Sequence, residues 1–197
     1  MARAFQRKGD HFVAKLDEAE LQVVCALLTQ TRDLIAPPEQ ASTGDPFDDL
    51  VASLGPVTPD DASSLDTPRD PALERLVPRA NREDDEIADE FRRLTERGLR
   101  SRKAGNLQEA IDALLAADPP KVSLDQGQAQ AVAMALTDVR LVLGERLGLR
   151  TDEDAEALQE KLALAEQEDE DDPVLLLSAY YDFLTWLQES VTLALMS

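Results

Sequence analysis

Asp125-Gln-Gly-Gln-Ala-Gln-Ala-Val-Ala-Met-Ala-Leu-Thr-Asp-Val-Arg-Leu-Val-Leu-Gly-Glu-Arg-Leu147 decides how the rest of the chain is read. Asp125 supplies the side-chain acceptor that a helix N-terminus needs, and Val132, Leu136, Val139 and Leu143 then recur at helical spacing. Met134, Leu141 and Val142 place further apolar surface on the back of the same helix. A helix apolar on opposite faces is enclosed by others, so this stretch predicts the central helix of a helical body. Asp138 and Arg140 lie on it where little solvent reaches. Two residues apart, they point in different directions, and each therefore needs its own partner on another element. Structural pairing is the first reading of Asp138 and Arg140; a small-molecule or enzymatic site centred on them is an alternative.

Working outward, Asp118-Pro119-Pro120 breaks the chain before this helix, and Lys121 to Leu124 reads as a strand. Upstream, Ile87, Phe91 and Leu94 predict a helix from about Asp84 to Lys103, stopped by Gly105. Asn106 and Glu109 then resemble a capping pair that opens a short helix from Leu107 to Ala117. At the N-terminal end, Ala4 to Arg7 and His11 to Leu16 flank Lys8-Gly9-Asp10, and alternation of Phe12, Ala14 and Leu16 predicts a β-hairpin. From Asp17, Leu21, Val24, Cys25, Leu28 and Ile35 form one helical stripe that Pro37-Pro38 ends. Downstream, Thr151 with Asp152 to Asp154 starts a helix bearing Leu158 and Leu162. Pro173 opens a last helix with Leu176, Tyr180, Phe183, Leu187 and Val191 aligned and Leu175, Trp186 and Leu193 beside them. That wide face completes the core or forms a homodimer seam.

The fold expectation is mainly α: a multi-helix orthogonal or bundle-like domain with a small N-terminal β-hairpin. A single domain over residues 1–197 is of ordinary size. Apolar residues make up 43% and aromatics only 4%, a core built from Leu, Ala and Val that suits helix packing.

Charge is unevenly spread. The net charge is -20, and the stretches Pro37 to Pro71 and Asp152 to Asp172 hold most of the excess acid. The first also contains seven of the chain's prolines and is expected to be a flexible acidic loop, because it buries too little apolar surface to offset its ordering entropy. Within it, Phe47, Leu50, Val51 and Leu54 form one helical face that docks on its own domain or is offered to a partner groove. The densest basic run is Arg92 to Lys103, in which Arg93, Arg97 and Arg100 share a face. Asp89 and Glu96, each four residues ahead of an arginine, make it a salt-bridged solvated face before a phosphate-binding one. The charge balance disfavours nucleic-acid binding by the chain alone.

Catalytic signatures are absent from the sequence: there is no glycine-rich phosphate loop, no Gly-x-Ser-x-Gly elbow and no paired Cys and His in a catalytic setting. One Cys and one His cannot make the usual zinc sites, so no metal and no cofactor is expected. Cys25 reads as a small buried hydrophobe and His11 as a surface residue. The apolar run Val174 to Met196 contains Asp182, Gln188 and Glu189, which favours a water-soluble helix over a span. With no charged-then-apolar leader at Met1, a cytoplasmic location is expected.

Two segments, Asp70-Pro-Ala-Leu-Glu-Arg-Leu-Val-Pro78 continuing through Asp84-Asp85-Glu86 to Glu90-Phe-Arg-Arg-Leu-Thr95, and Ala135-Leu-Thr-Asp-Val-Arg-Leu-Val-Leu-Gly144, resemble an actinobacterial family catalogued as a domain of unknown function. Members are commonly encoded near the ClpS adaptor of the Clp protease, and some are labelled AosR-like oxidative-stress transcriptional regulators. The resemblance implies a non-enzymatic regulator that works through protein partners, with transcription machinery or the Clp system as candidates. A direct DNA-binding regulator is the alternative. A redox switch through an internal disulfide does not transfer, since Cys25 stands alone.

Overall fold

A computed structural model describes residues 2–36, 70–78, 85–168 and 172–197. The strands and helices follow the order β1 (Arg3–Lys8), β2 (His11–Lys15), α1 (Glu18–Ile35), α2 (Pro71–Leu76), α3 (Asp85–Leu115), β3 (Lys121–Leu124), α4 (Gln126–Arg146), α5 (Asp152–Glu168) and α6 (Pro173–Leu195). The fold is mainly helical with a small antiparallel sheet at its N-terminal end. The segment carrying Phe47, Leu50, Val51 and Leu54 lies outside the described residues.

Local chemistry sets the element boundaries. Gly9 takes the left-handed conformation, φ 64°, that the tight turn between β1 and β2 requires. Asp17 and Glu20 form a reciprocal capping box on α1, with bonds of 2.9 and 2.8 Å, and Asp125 and Gln128 repeat it on α4 at 2.9 and 3.0 Å. Asp70 and Asp172 cap α2 and α6, each followed by a proline at the first helical position. Gly148, φ 75°, ends the chain's course out of α4.

The sheet order is β1-β2-β3, and the Lys121 to Leu124 strand pairs with β2 as expected, with Phe12 opposite Leu124 and Ala14 opposite Val122. Alternation puts Phe12, Ala14, Val122 and Leu124 on the buried side, where Phe5 and Leu16 join them. The main-chain N–H of Phe5 donates to Ser190 Oγ on α6 at 3.1 Å, which ties the outer strand to the last helix. Around α4 lie α1, α2, α3 and α6, with β2 and β3 at one end, so the central position read from its sequence is the position observed. Ala129, Val132, Ala135, Leu136, Val139 and Leu143 form its buried face.

Three expectations are corrected. The two helices anticipated on either side of Gly105 are one, α3, which is 31 residues long. Ala104, Leu107, Ile111 and Leu114 form one packed stripe across the glycine, with half-buried Arg100 a turn before it, and that packing outweighs the cost of about 1 kcal/mol for a helical Gly. In α6 the buried face is Leu184, Leu187, Val191 and Ala194, while Leu176 is left 55% exposed. The back of α4 is not covered either: Met134 is 60% and Leu141 38% exposed.

Candidate functional site

The two charged residues of α4 are partnered on opposite flanks. Asp138, 5% exposed, accepts from Lys103 Nζ of α3 at 2.5 Å. Arg140 turns the other way, toward α6, where Nη1 donates to Gln188 Oε1 at 2.5 Å and Nη2 lies 3.5 Å from the Tyr181 hydroxyl. Its guanidinium stands 5.3 Å above the centre of the Tyr181 ring, a cation–π geometry. Gln188 is fully engaged, since Nε2 also donates to Thr137 Oγ1 at 2.5 Å. Asp138 and Arg140 are therefore not brought together. Among the described residues Arg140 has no carboxylate partner: its neighbours are an amide and a phenol, and its buried Nε–H is without an acceptor.

Between these flanks runs an uncovered ridge, Gln130, Met134, Thr137 and Leu141, at i, i+4, i+7 and i+11 on α4. Thr137 links the ridge through Gln188 to Arg140. On α6, Trp186 stacks on Phe183 with ring centroids 6.0 Å apart and remains 37% exposed, and Leu193 is 68% exposed.

The basic face of α3 is only partly a face. Arg100 turns inward and closes the end of α1, donating from Nε to the Ile35 carbonyl at 2.8 Å and from Nη2 to the Ala36 carbonyl at 2.7 Å, with Glu96 one turn earlier at 3.6 Å. A cation on the last carbonyls of a helix satisfies acceptors that otherwise lack partners. Arg100 is thus a clamp rather than part of a solvated face. Arg97 is half-buried on the same helix; the side chain of Arg93 lies outside the described residues.

A second polar cluster ties α2 to the end of α4. Glu145, its side chain 6% exposed, meets Arg75 at 3.1 Å and also Arg150, and Arg146 meets Asp70. The hydrogen bond from Arg150, with Arg75 beside it, holds the Glu145 carboxyl below its ordinary range. Arg146 does the same to Asp70. Cys25 is buried on α1 and its thiol is pushed up by desolvation, which keeps it protonated and slow to react. Open depressions among the described residues include one of about 360 Å³ beside Arg7, Asp10 and Gln126 and one of about 570 Å³ beside Glu109, Asp112 and Gln128. Neither contains Asp138 or Arg140. No group of three or more His, Cys, Asp or Glu side chains among the described residues is arranged to hold a metal ion. No described helix is long and apolar enough to cross a membrane.

A family model described as a domain of unknown function, DUF2017, matches residues 2–195. The chain belongs to the DUF2017 family. No curated protein and no solved structure matches it. In this DUF2017 chain the partners of Asp138 and Arg140 went unread in sequence. Gln188 carried a weak signal, as a polar residue seven after Tyr181 in a mainly apolar helix that also holds Asp182 and Glu189, while Lys103 was hidden among the other cations of α3. Glu145 carried none, being one acid among forty.

Proposed function

We propose that this DUF2017 chain is a cytoplasmic, non-enzymatic regulatory module that acts by binding other proteins. One observation carries the reading: the central helix, packed on most of its circumference, leaves Met134 and Leu141 in water. Apolar surface left open on a well-packed element is what a partner covers. Divergence of Asp138 and Arg140 weighs against an enzyme or small-molecule site centred on them. The inward turn of Arg100 weighs against DNA binding through the α3 arginines. The resemblance to actinobacterial relatives encoded near ClpS, some labelled AosR-like regulators, supports transcription machinery or the Clp system as the partner. A homodimer through α6 is a further form of the same behaviour, supported by the exposure of Trp186 and Leu193.

Affinity purification of the full chain from its native cell, with partners identified by mass spectrometry and then tested by reciprocal capture, examines this directly. Stoichiometric recovery of a protein partner is expected. A chain that recovers none and instead shifts duplex DNA at about 0.15 M salt, where exposed charges are screened over about 8 Å, would overturn the reading in favour of the DNA-binding alternative.

A further inference from the structure

Arg140 differs from the other cations that join one helix to another. Lys103 has Asp138, Arg75 has Glu145, Arg146 has Asp70, Arg32 has Asp33 and Arg100 has Glu96 as a carboxylate partner, whereas among the described residues Arg140 meets Gln188 and Tyr181 and no carboxylate. In a chain with twice as many acidic as basic residues, a half-buried arginine facing an amide and a ring is, among the described residues, a positive charge without a counter-charge. Guanidinium presents five donors in a fork matched to a carboxylate. Here one donor makes a short bond and a second makes a long one; the Nε–H makes none but is enclosed by the protein, so an incoming carboxylate meets the Nη donors.

Position adds to chemistry. Gln188 joins Arg140 to Thr137, and Thr137 stands on the uncovered ridge between Met134 and Leu141. The cation therefore lies at the edge of an apolar strip. Methionine adapts its shape to varied apolar partners, and an arginine beside buried apolar contacts is a common anchor of protein interfaces.

We propose that the α4 ridge of Met134, Thr137 and Leu141 receives a protein segment in which an Asp or Glu carboxylate, flanked by apolar side chains, completes the coordination of Arg140. The apolar side chains rest on Met134 and Leu141, and the carboxylate faces the outer edge of the guanidinium. Charge complementarity selects this occupant over a basic segment, which Arg140 repels, and over a wholly apolar one, which leaves the cation further desolvated. The assignment rests on the reading of the chain as a protein-binding module and adds the surface and the chemistry of its partner.

The test is a titration of the full chain, with arginine side-chain nitrogens labelled, followed by nuclear magnetic resonance. The probe is the capped peptide acetyl-Ala-Leu-Glu-Ala-Leu-amide, compared with the same peptide carrying Gln for Glu and with inorganic phosphate. The Glu peptide is expected to shift the Arg140 signals and to bind at least tenfold more tightly than the Gln peptide. R140Q should lose the difference between peptides, and the double variant M134S/L141S, which alters only exposed side chains and so keeps the fold, should weaken binding of the Glu peptide about fivefold or more. Equal shifts from both peptides, a phosphate shift as large as that of the Glu peptide, or unchanged binding by M134S/L141S would each overturn the assignment. If M134S/L141S also recovers the same protein partners from native extract as the parent chain, the ridge is wrong while the module reading stands.

Discussion

α4 and α5 are helices of similar length, 21 and 17 residues, and they owe their order to opposite sources. α4 is wrapped by four helices and two strands, and its helicity is a by-product of burying Val132, Leu136, Val139 and Leu143. α5 leans mainly on α6, keeps Leu158 and Leu162 only half-buried, and exposes nearly everything else up to Ala163. What holds its start is terminal chemistry. Thr151 and Asp154 cap each other's N–H groups at 2.9 and 3.3 Å, and Asp152, Glu153 and Asp154 sit at the positive end of the helix dipole. A helix held by packing shares the stability of the whole domain, whereas one held by its cap opens locally at lower cost.

Substitutions sharpen that contrast in graded steps. Leu136→Ala removes a fully buried side chain from α4 and should cost about 2–5 kcal/mol in equilibrium unfolding; a loss below about 1 kcal/mol would break the claim that α4 is the organising element. Asp138→Ala strands the ammonium of Lys103, a side chain that is 26% exposed and can turn to water, so about 1–3 kcal/mol is expected rather than the roughly 3–5 of a wholly buried pair. Arg140→Ala, whose partners are neutral, should cost about 1–2 kcal/mol, less than the roughly 3–5 kcal/mol for breaking a buried ion pair.

Smaller effects follow at the edges. Glu145→Gln weakens the tie between α2 and α4 by about 1 kcal/mol. Because the folded-state carboxyls of Glu145 and Asp70 are held below their ordinary range, their contribution is complete above the usual carboxylate pKa near 4 and is lost as pH falls through the depressed values. Chemical denaturation of parent and Glu145→Gln should therefore differ at pH 7 and draw together as pH falls below about 4. Glu156→Gln on α5, exposed on all sides, should change stability by less than about 0.5 kcal/mol. A larger effect would mean that α5 is held by more than its cap.

The same contrast explains what was legible in the sequence. Caps and periodicity are local, so Asp17, Asp125 and Pro173 announced their helices, and the alternation of Phe12, Ala14 and Leu16 announced the hairpin. Helix α3 was misread at Gly105-Asn106 because a local stop signal competed with a packing stripe visible only once α1 and α4 are in place. The partners of Asp138 and Arg140 lie 35 and 48 residues away, and no spacing rule reaches that far. Arg100 looked solvated because its acceptors are main-chain carbonyls of α1, and every residue has one.

The bond from the Phe5 N–H to Ser190 spans 185 residues, and Arg7 of the same strand reaches the Ser197 carbonyl at 2.5 Å. A ribosome releases β1 long before α6. During synthesis the hairpin waits with one edge unpaired, and a two-stranded ribbon alone is marginal in water. Closure of this molecule is therefore a late, cooperative event that depends on contacts of the longest sequence separation, a slow class of step. A chain stalled shortly before Ser190 would present to the cell an open strand edge and an uncovered Phe5 in place of a nearly finished fold.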